Sequence, residues 1–123
     1  MKNSKTIMIV EDDQGFQDIF AVMLEGTGHK IISVYDGNDA LDKLEKQIPD
    51  LIILDILLEA MMGDALFLHL KRVPEYAKIP IIVVSSFPAR DYKNLEEIDP
   101  HLVFLEKPFT KKTLLDVVEA KLS

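Results

Sequence analysis

Short aliphatic runs alternate along this chain with segments that carry apolar residues at helical spacing. Four of the runs cover residues 7–10, 51–54, 81–84 and 102–105, and a weaker strand pattern with interspersed polar residues covers residues 30–35. Regular alternation of strands and helices predicts a parallel sheet with helices on both faces. Continuous aliphatic strands are typical of a sheet covered on both faces. We therefore expect a five-stranded (βα)5 doubly wound parallel sheet, with the polar second strand at an edge.

Caps and breakers predict where the helices begin and end. Gly28 is a plausible stop for the first helix, Pro74 should end the third, and Thr110 is suited to be the N-cap of the last. The segment 88–99 carries only a thin apolar stripe, so the fourth helix is the weakest of the predicted elements.

Composition limits the classes of protein to which the chain can belong. Its 123 residues suffice for one domain with its own core, which we assign to residues 1–123. The absence of cysteine excludes disulfides and thiolate metal sites, and no apolar run approaches membrane-spanning length. The net charge of −7 repels nucleic acid phosphates, so direct nucleic acid binding is not expected. The cytoplasm is the default location.

Polar side chains stand where four of the predicted strands end. Glu11 and Asp12 follow the first strand, Asp55 the third, Ser85 the fourth and Lys107 the fifth. Because the carboxyl ends of parallel strands share one edge of the sheet, these residues should converge on one cleft. Carboxylates in such a cleft suit Mg²⁺, and a hydroxyl with an ammonium suits a phosphoryl group.

Each of these residues also has an ordinary structural interpretation. An acidic residue after a strand is often a helix cap, a serine there often makes a turn hydrogen bond, and a surface lysine is usually only solvated. The functional interpretation depends on their combination at one edge. The functional interpretation of Lys107 gains further support because Pro108 restricts the conformation of the residue before it and so fixes where the ammonium points.

The same residues carry a resemblance to a known family. The motifs are Ile-Val-Glu-Asp-Asp at 9–13, Pro-Asp-Leu-Ile-Ile-Leu-Asp at 49–55, Ile-Pro-Ile-Ile-Val-Val-Ser at 79–85 and Lys-Pro-Phe at 107–109. In this order and spacing the chain resembles a receiver domain of the two-component response regulators, the CheY-like superfamily, over essentially its whole length. The resemblance implies a flavodoxin-like fold with strand order 2-1-3-4-5.

The resemblance also implies a role for each acidic residue. Asp55 would be the phosphoacceptor, supplied by a histidine kinase or a histidine phosphotransfer protein. Asp12 and Asp55 would bind Mg²⁺ directly with the backbone carbonyl of Leu57, and Glu11 would act through water. Such a protein is a signalling domain rather than an enzyme with a separate substrate, since it catalyses only its own phosphorylation and dephosphorylation.

The remaining roles concern the response to phosphorylation. Ser85 would donate a hydrogen bond to the phosphoryl group, Lys107 would pair with it, and Phe104 stands at the aromatic switch position. The Lys107–Pro108 peptide bond is expected to be cis. The surface that changes would consist of the fourth helix, fifth strand and fifth helix, where a downstream protein binds.

Some positions depart from the family pattern, and two other functions stay open. Glu59 stands where proline is common, and Met62 replaces an aspartate before Gly63, which leaves the loop conformation and output surface open. One alternative is a scaffold of receiver shape that binds partners without phosphorylation. The other is a flavodoxin-like cofactor binder, which lacks support because acidic residues replace a phosphate-binding loop after the first strand. A weak homodimer is a further open point.

Overall fold

The computed structural model describes residues 4–56 and 63–123 of the chain. Five parallel strands form one sheet in the order β2-β1-β3-β4-β5. The strands are β1 (Thr6–Val10), β2 (Lys30–Val34), β3 (Leu51–Asp55), β4 (Ile81–Ser85) and β5 (Val103–Glu106). The predicted doubly wound, flavodoxin-like sheet with order 2-1-3-4-5 is confirmed, and β2 is an edge strand as expected.

At least one helix follows each strand. The helical segments are α1 (Gln14–Leu24), α2 (Gly37–Lys46), α3 (Gly63–Arg72), α4 (Pro74–Ala77), a 3-10 turn (Ala89–Tyr92), α5 (Lys93–Ile98) and α6 (Lys111–Leu122). The helix predicted as the fourth is therefore α5 with its preceding 3-10 turn, and the helix predicted as the fifth is α6. No helix among the described residues is both long enough and apolar enough to span a membrane.

Three helix boundaries test the cap predictions. Thr110 is the N-cap of α6, and its side chain accepts a hydrogen bond from the Thr113 amide, as predicted. The first helix ends earlier than Gly28 suggested, because α1 stops at Leu24. The chain then passes Gly26 and Gly28, both with positive φ, where glycine lacks the steric penalty of other residues. Pro74 does follow the third helix, but it also begins the extra turn α4, where its missing amide costs nothing.

The two sides of the sheet carry two separate hydrophobic clusters. On β1, Met8 and Val10 belong to the cluster covered by α2, α3 and α5. Ile7 and Ile9 alternate with them and belong to the cluster covered by α1 and α6. Because successive strand residues point to opposite faces, a strand buried on both sides must be apolar throughout. This explains why the aliphatic runs of β1, β3 and β4 are continuous.

Strand register determines which side chains meet at the carboxyl edge. Val10 of β1 lies opposite Leu54 of β3, so the residues that follow each of them are neighbours. Asp55 in turn lies opposite Val84 of β4. The edge thus joins the ends of strands that are well separated in sequence, and this is where the candidate site lies.

Candidate functional site

Three carboxylates meet at the carboxyl edge of the sheet. Glu11 and Asp12 directly follow β1, and Asp55 is the last residue of β3. One ligand oxygen from each of the three lies within 4.8 Å of the others. Glu11 and Asp55 are buried, with 1% and 6% of their surface exposed. Carboxylates are rarely buried so close together unless a cation or a shared proton offsets their charge.

Lys107 brings a positive charge into the same cluster. Its Nζ donates to Glu11 Oε1 at 2.7 Å and to Asp55 Oδ2 at 3.2 Å. The lysine directly follows β5, and its backbone amide donates to the Ser85 carbonyl at 2.7 Å. The Lys107–Pro108 bond is cis, as the resemblance implied. The side chain thus reaches across the end of β4 to the carboxylates beyond it.

The proximity of these groups changes their proton affinities. Burial raises the pKa of Glu11 to about 7, and the adjacent Asp55 carboxyl acts in the same direction, while the hydrogen bond from Lys107 opposes both. Burial of the ammonium lowers the pKa of Lys107, but its contacts with Glu11 and Asp55 outweigh this and hold that pKa above its ordinary value. The cluster therefore favours a protonated Lys107 and a Glu11 carboxyl that gives up its proton less readily than an ordinary glutamate.

Ser85 lies at the end of β4 next to the carboxylates. The residue is buried, and its Oγ accepts a hydrogen bond from the Phe87 amide at 2.9 Å. Accepting that bond leaves the hydroxyl proton available for donation to another group. The arrangement includes the turn hydrogen bond of the ordinary interpretation and is also compatible with the predicted role.

Phe104 of β5 lies on the side of the sheet that α5 covers. Its half-buried ring stacks on Tyr92 of the 3-10 turn, with centroids 6.0 Å apart and planes inclined by 16°. The contact ties β5 to the segment between β4 and α5. Sequence reasoning singled out Phe104 but missed Tyr92, because an aromatic residue in a weakly patterned segment carries no periodic signal of its own.

Gln17 of α1 is a second residue that sequence reasoning missed. Its buried Nε2 donates to the carbonyl oxygens of Ile9, Glu11 and Val34 at 3.2, 3.1 and 2.9 Å. The amide thereby holds the backbone of Glu11 against the ends of β1 and β2. The available signal was a polar residue in the apolar stripe of α1, since the buried positions of this helix are Gln17, Phe20 and Leu24.

One predicted ligand lies outside the part of the chain that the structure describes. Leu57, whose backbone carbonyl was expected to bind Mg²⁺, falls in the gap between residues 56 and 63. Glu59 and Met62 fall in the same gap. Among the described residues, Glu11, Asp12, Asp55 and Lys107 form one cluster, and Ser85 borders it.

Comparisons with known proteins agree with this architecture. The family model of the response regulator receiver domain matches residues 7–119. The polar-differentiation response regulator DivK of Brucella ovis is 28% identical over 119 residues, which cover 97% of each chain. The receiver domain of a signal transduction histidine kinase from Syntrophus aciditrophicus has a TM-score of 0.86 and 32% identity, covering 97% of this chain and 90% of that one.

A further solved structure is the receiver domain of the sensor histidine kinase PA1611 from Pseudomonas aeruginosa, with a magnesium ion coordinated in its active site cleft. It has a TM-score of 0.85 and 24% identity, and 98% of each chain is covered. The family match extends from β1 into the last turns of α6, and the strand order and acidic edge agree with it. The chain therefore belongs to the family of response regulator receiver domains.

Proposed function

We propose that this receiver takes part in a phosphorelay, in which Asp55 accepts a phosphoryl group from a histidine kinase or a histidine phosphotransfer protein. The observation that carries the proposal is the cluster itself. Three carboxylates place ligand oxygens within 4.8 Å of one another, and the Lys107 ammonium contacts two of them. A cytoplasmic location, where such kinases present their phosphohistidine, is part of the proposal.

The donor set of the cluster fits Mg²⁺. All the side-chain donors of Glu11, Asp12 and Asp55 are carboxylate oxygens, the ligands that this hard cation prefers. Asp12 and Asp55 would bind it directly, together with the Leu57 carbonyl, and Glu11 would act through water. The magnesium ion named for the related PA1611 receiver supports this choice. Mg²⁺ bound there would offset the charge of the carboxylates and of an incoming phosphoryl group.

Asp55 is the carboxylate best placed to act as nucleophile. It ends β3 in the centre of the sheet, between Glu11 and the end of β4. An oxygen of Asp55 would form a bond to phosphorus as the bond from phosphorus to the donor histidine nitrogen breaks, and the electron pair would leave with the imidazole. Phosphoryl transfer of this kind depends mainly on positioning and charge neutralisation.

Lys107 and Ser85 would stabilise the phosphorylated form. The Lys107 ammonium, now shared between two carboxylates, would pair with a phosphoryl oxygen, and the Ser85 hydroxyl would donate to another. Movement of Ser85 toward the phosphoryl group would open space for the Phe104 ring. The ring stacks on Tyr92, so its movement would alter the surface that α5, β5 and α6 present to a downstream protein.

The proposal is tested by incubating the protein with Mg²⁺ and the small phosphodonor phosphoramidate, then mapping any acyl phosphate by mass spectrometry. We expect one label, on Asp55, that disappears in Asp55→Asn and when Mg²⁺ is removed by EDTA. Asp116→Asn, at an exposed position of α6, serves as the matched control and should be labelled like the wild type. Absence of label on the folded wild-type protein, or stable label on Asp55→Asn, would favour the alternative of a scaffold that acts without phosphorylation.

A further inference from the structure

The aromatic ring of Phe16 lies against the Lys107 ammonium. Nζ is 3.8 Å from the centroid of the ring, well within the range in which the negative face of an aromatic ring attracts a cation. The Lys107 side chain is only 12% exposed, so water screens this attraction weakly. The ammonium is therefore in contact with two kinds of partner, the carboxylates of Glu11 and Asp55 and the ring of Phe16.

The Phe16 ring is held in place from two directions. The backbone amide of Phe16 donates to the Asp13 side chain at 2.8 Å, which is the N-cap bond that begins α1. Its ring packs against Phe20 and Phe109, with centroid separations of 5.8 and 6.2 Å. Phe20 is fully buried and itself contacts Phe109 at 5.7 Å. The three rings thus form an aromatic platform that joins the start of α1 to the segment after Lys107.

The ring differs from the carboxylates in a way that matters for the reaction. Glu11 and Asp55 attract Lys107 only while their negative charge is available, and a divalent cation or a bound phosphoryl group competes for that charge. The Phe16 ring carries no net charge and has no lone pair for a hard cation such as Mg²⁺. Its attraction for the ammonium therefore persists when the carboxylates are occupied.

We propose that Phe16 is a positioning residue that holds the Lys107 ammonium beside Asp55 throughout phosphorylation. This inference rests on the proposed function and gives α1, which already holds the Glu11 backbone through Gln17, a further part in organising the site. An ammonium held on the ring is placed to meet the incoming phosphoryl oxygens without a search over the rotamers of a long, flexible side chain.

Two substitutions at position 16 separate the charge distribution of the ring from its shape. Phe16→Leu removes the ring, whereas trifluorinated phenylalanine at this position keeps the shape of the ring but withdraws electron density from its face. Both should lower the rate of Asp55 phosphorylation by phosphoramidate in saturating Mg²⁺ by roughly fivefold. Phe16→Tyr, which retains an electron-rich ring, should restore the wild-type rate. Phe67→Leu, the same change in a buried ring on the other side of the sheet, should leave the rate within a factor of about two, since that ring belongs to a separate cluster.

A spectroscopic measurement reports the position of the lysine independently of phosphorylation. The ε-methylene protons of Lys107 should show an upfield ring-current shift in the wild type and in Phe16→Tyr, and lose it in Phe16→Leu. Rates for Phe16→Leu and for the fluorinated protein that equal the wild-type rate would overturn the inference, as would a Lys107 signal unaffected by loss of the ring. If the wild type itself takes no label, the proposed phosphorylation fails instead, so the two failures are distinguishable.

Discussion

The Glu11 carboxyl is buried beside a second carboxyl, and this placement links the stability of the metal-free protein to pH. The pKa of Glu11 rises to about 7 in the folded chain, first because of burial and then because of Asp55. In the unfolded chain the same group ionises near its ordinary value of 4.5. A group whose pKa is raised by folding stabilises the protein fully below its unfolded pKa and loses that contribution as pH rises through its folded pKa.

We therefore predict that Glu11→Gln becomes more stable than the wild type as pH rises in the absence of divalent cations. Between pH values of roughly 4.5 and 8 the difference in the free energy of unfolding should move by on the order of 3 kcal/mol in favour of the variant. Urea unfolding at several pH values in EDTA measures this difference. The physical reason is that glutamine cannot ionise, so the variant avoids the cost of a buried negative charge beside Asp55.

Glu45→Gln, the same substitution at an exposed position of α2, provides the control for the loss of a surface charge. Saturating Mg²⁺ should stabilise the wild type relative to Glu11→Gln, since a cation bound to ionised carboxylates favours the folded form. A flat difference between the wild type and Glu11→Gln across this pH range would show that the carboxyl is not held as the structure describes.

At the scale of elements, the start of α3 approaches the end of β3 more closely than any side chain allows. The Gly63 amide donates to the Ile56 carbonyl at 2.9 Å. A Cβ atom on Gly63 would lie 2.5 Å from the Asp55 carbonyl oxygen and from the Ile56 Cα. Both obstacles are backbone atoms, which cannot rotate away. The glycine thus allows α3 to begin directly beside the proposed phosphoacceptor.

We predict that Gly63→Ala destabilises the protein by about 1–3 kcal/mol and slows phosphorylation of Asp55, because the backbone of Asp55 and Ile56 must shift to admit the methyl group. Chemical denaturation and the phosphoramidate assay measure the two effects. Gly15→Ala is the matched control, since its Cβ would meet only the Asp13 side chain, at 3.1 Å, and a shift of a few tenths of an ångström in that carboxylate would admit it. We expect that change to stay within about 1 kcal/mol of the wild type. Equal effects of the two substitutions would contradict the close contact at β3.

The elements differ in how well the sequence predicted them, and the difference follows from what determines each one. Strands β1, β3 and β4 were predictable because burial on both faces requires an unbroken aliphatic run. The fourth helix was weak in the sequence because only Leu95 of its two apolar residues is buried, while Ile98 is 44% exposed. The segment is instead packed through the Tyr92–Phe104 stack, which is a contact between distant residues and leaves no periodic pattern.

At the scale of the whole molecule, the candidate site exists only because the sheet brings distant strand ends together. The acidic residues and Lys107 could be selected from the sequence because parallel strands place their carboxyl ends at one edge. The Phe16 ring and the Gln17 amide could not be selected in this way. Both belong to α1, and their contacts with the site depend on how that helix is rotated against the sheet, which helical spacing alone does not determine.

A separate set of contacts lies at the amino ends of the strands, across the sheet from the candidate site. The His29 ring accepts a hydrogen bond from the Lys5 amide at 3.1 Å and lies 3.4 Å from the Glu119 carboxylate of α6. These contacts join the starts of β1 and β2 to the last helix. Lys5, His29 and Glu119 are not members of the cluster around Asp55.

We predict that a phosphoryl mimic at Asp55 changes the structure near the carboxyl ends of the strands more than the structure near their amino ends. Beryllofluoride with Mg²⁺ should shift amide resonances of the 3-10 turn, α5 and β5, because the Tyr92–Phe104 stack links β5 to that segment. Resonances of Lys5 and His29, which lie just before β1 and β2, should move little. Two-dimensional amide NMR measures both regions in one sample, and Asp55→Asn with the same additives gives the background.

Tyr92→Leu sharpens this test, since leucine keeps an apolar contact with Phe104 but removes the stacked ring. We expect the shifts around Asp55 to persist in this variant and those in α5 to shrink. The Tyr92 ring is the contact through which a movement of Phe104 would reach α5, and the variant lacks that ring. Equal shifts at both edges of the sheet would argue instead for a general change in stability on binding. Shifts limited to residues next to Asp55 would show that the α5 and β5 surface does not respond, and a downstream partner would then have to recognise the phosphorylated edge itself.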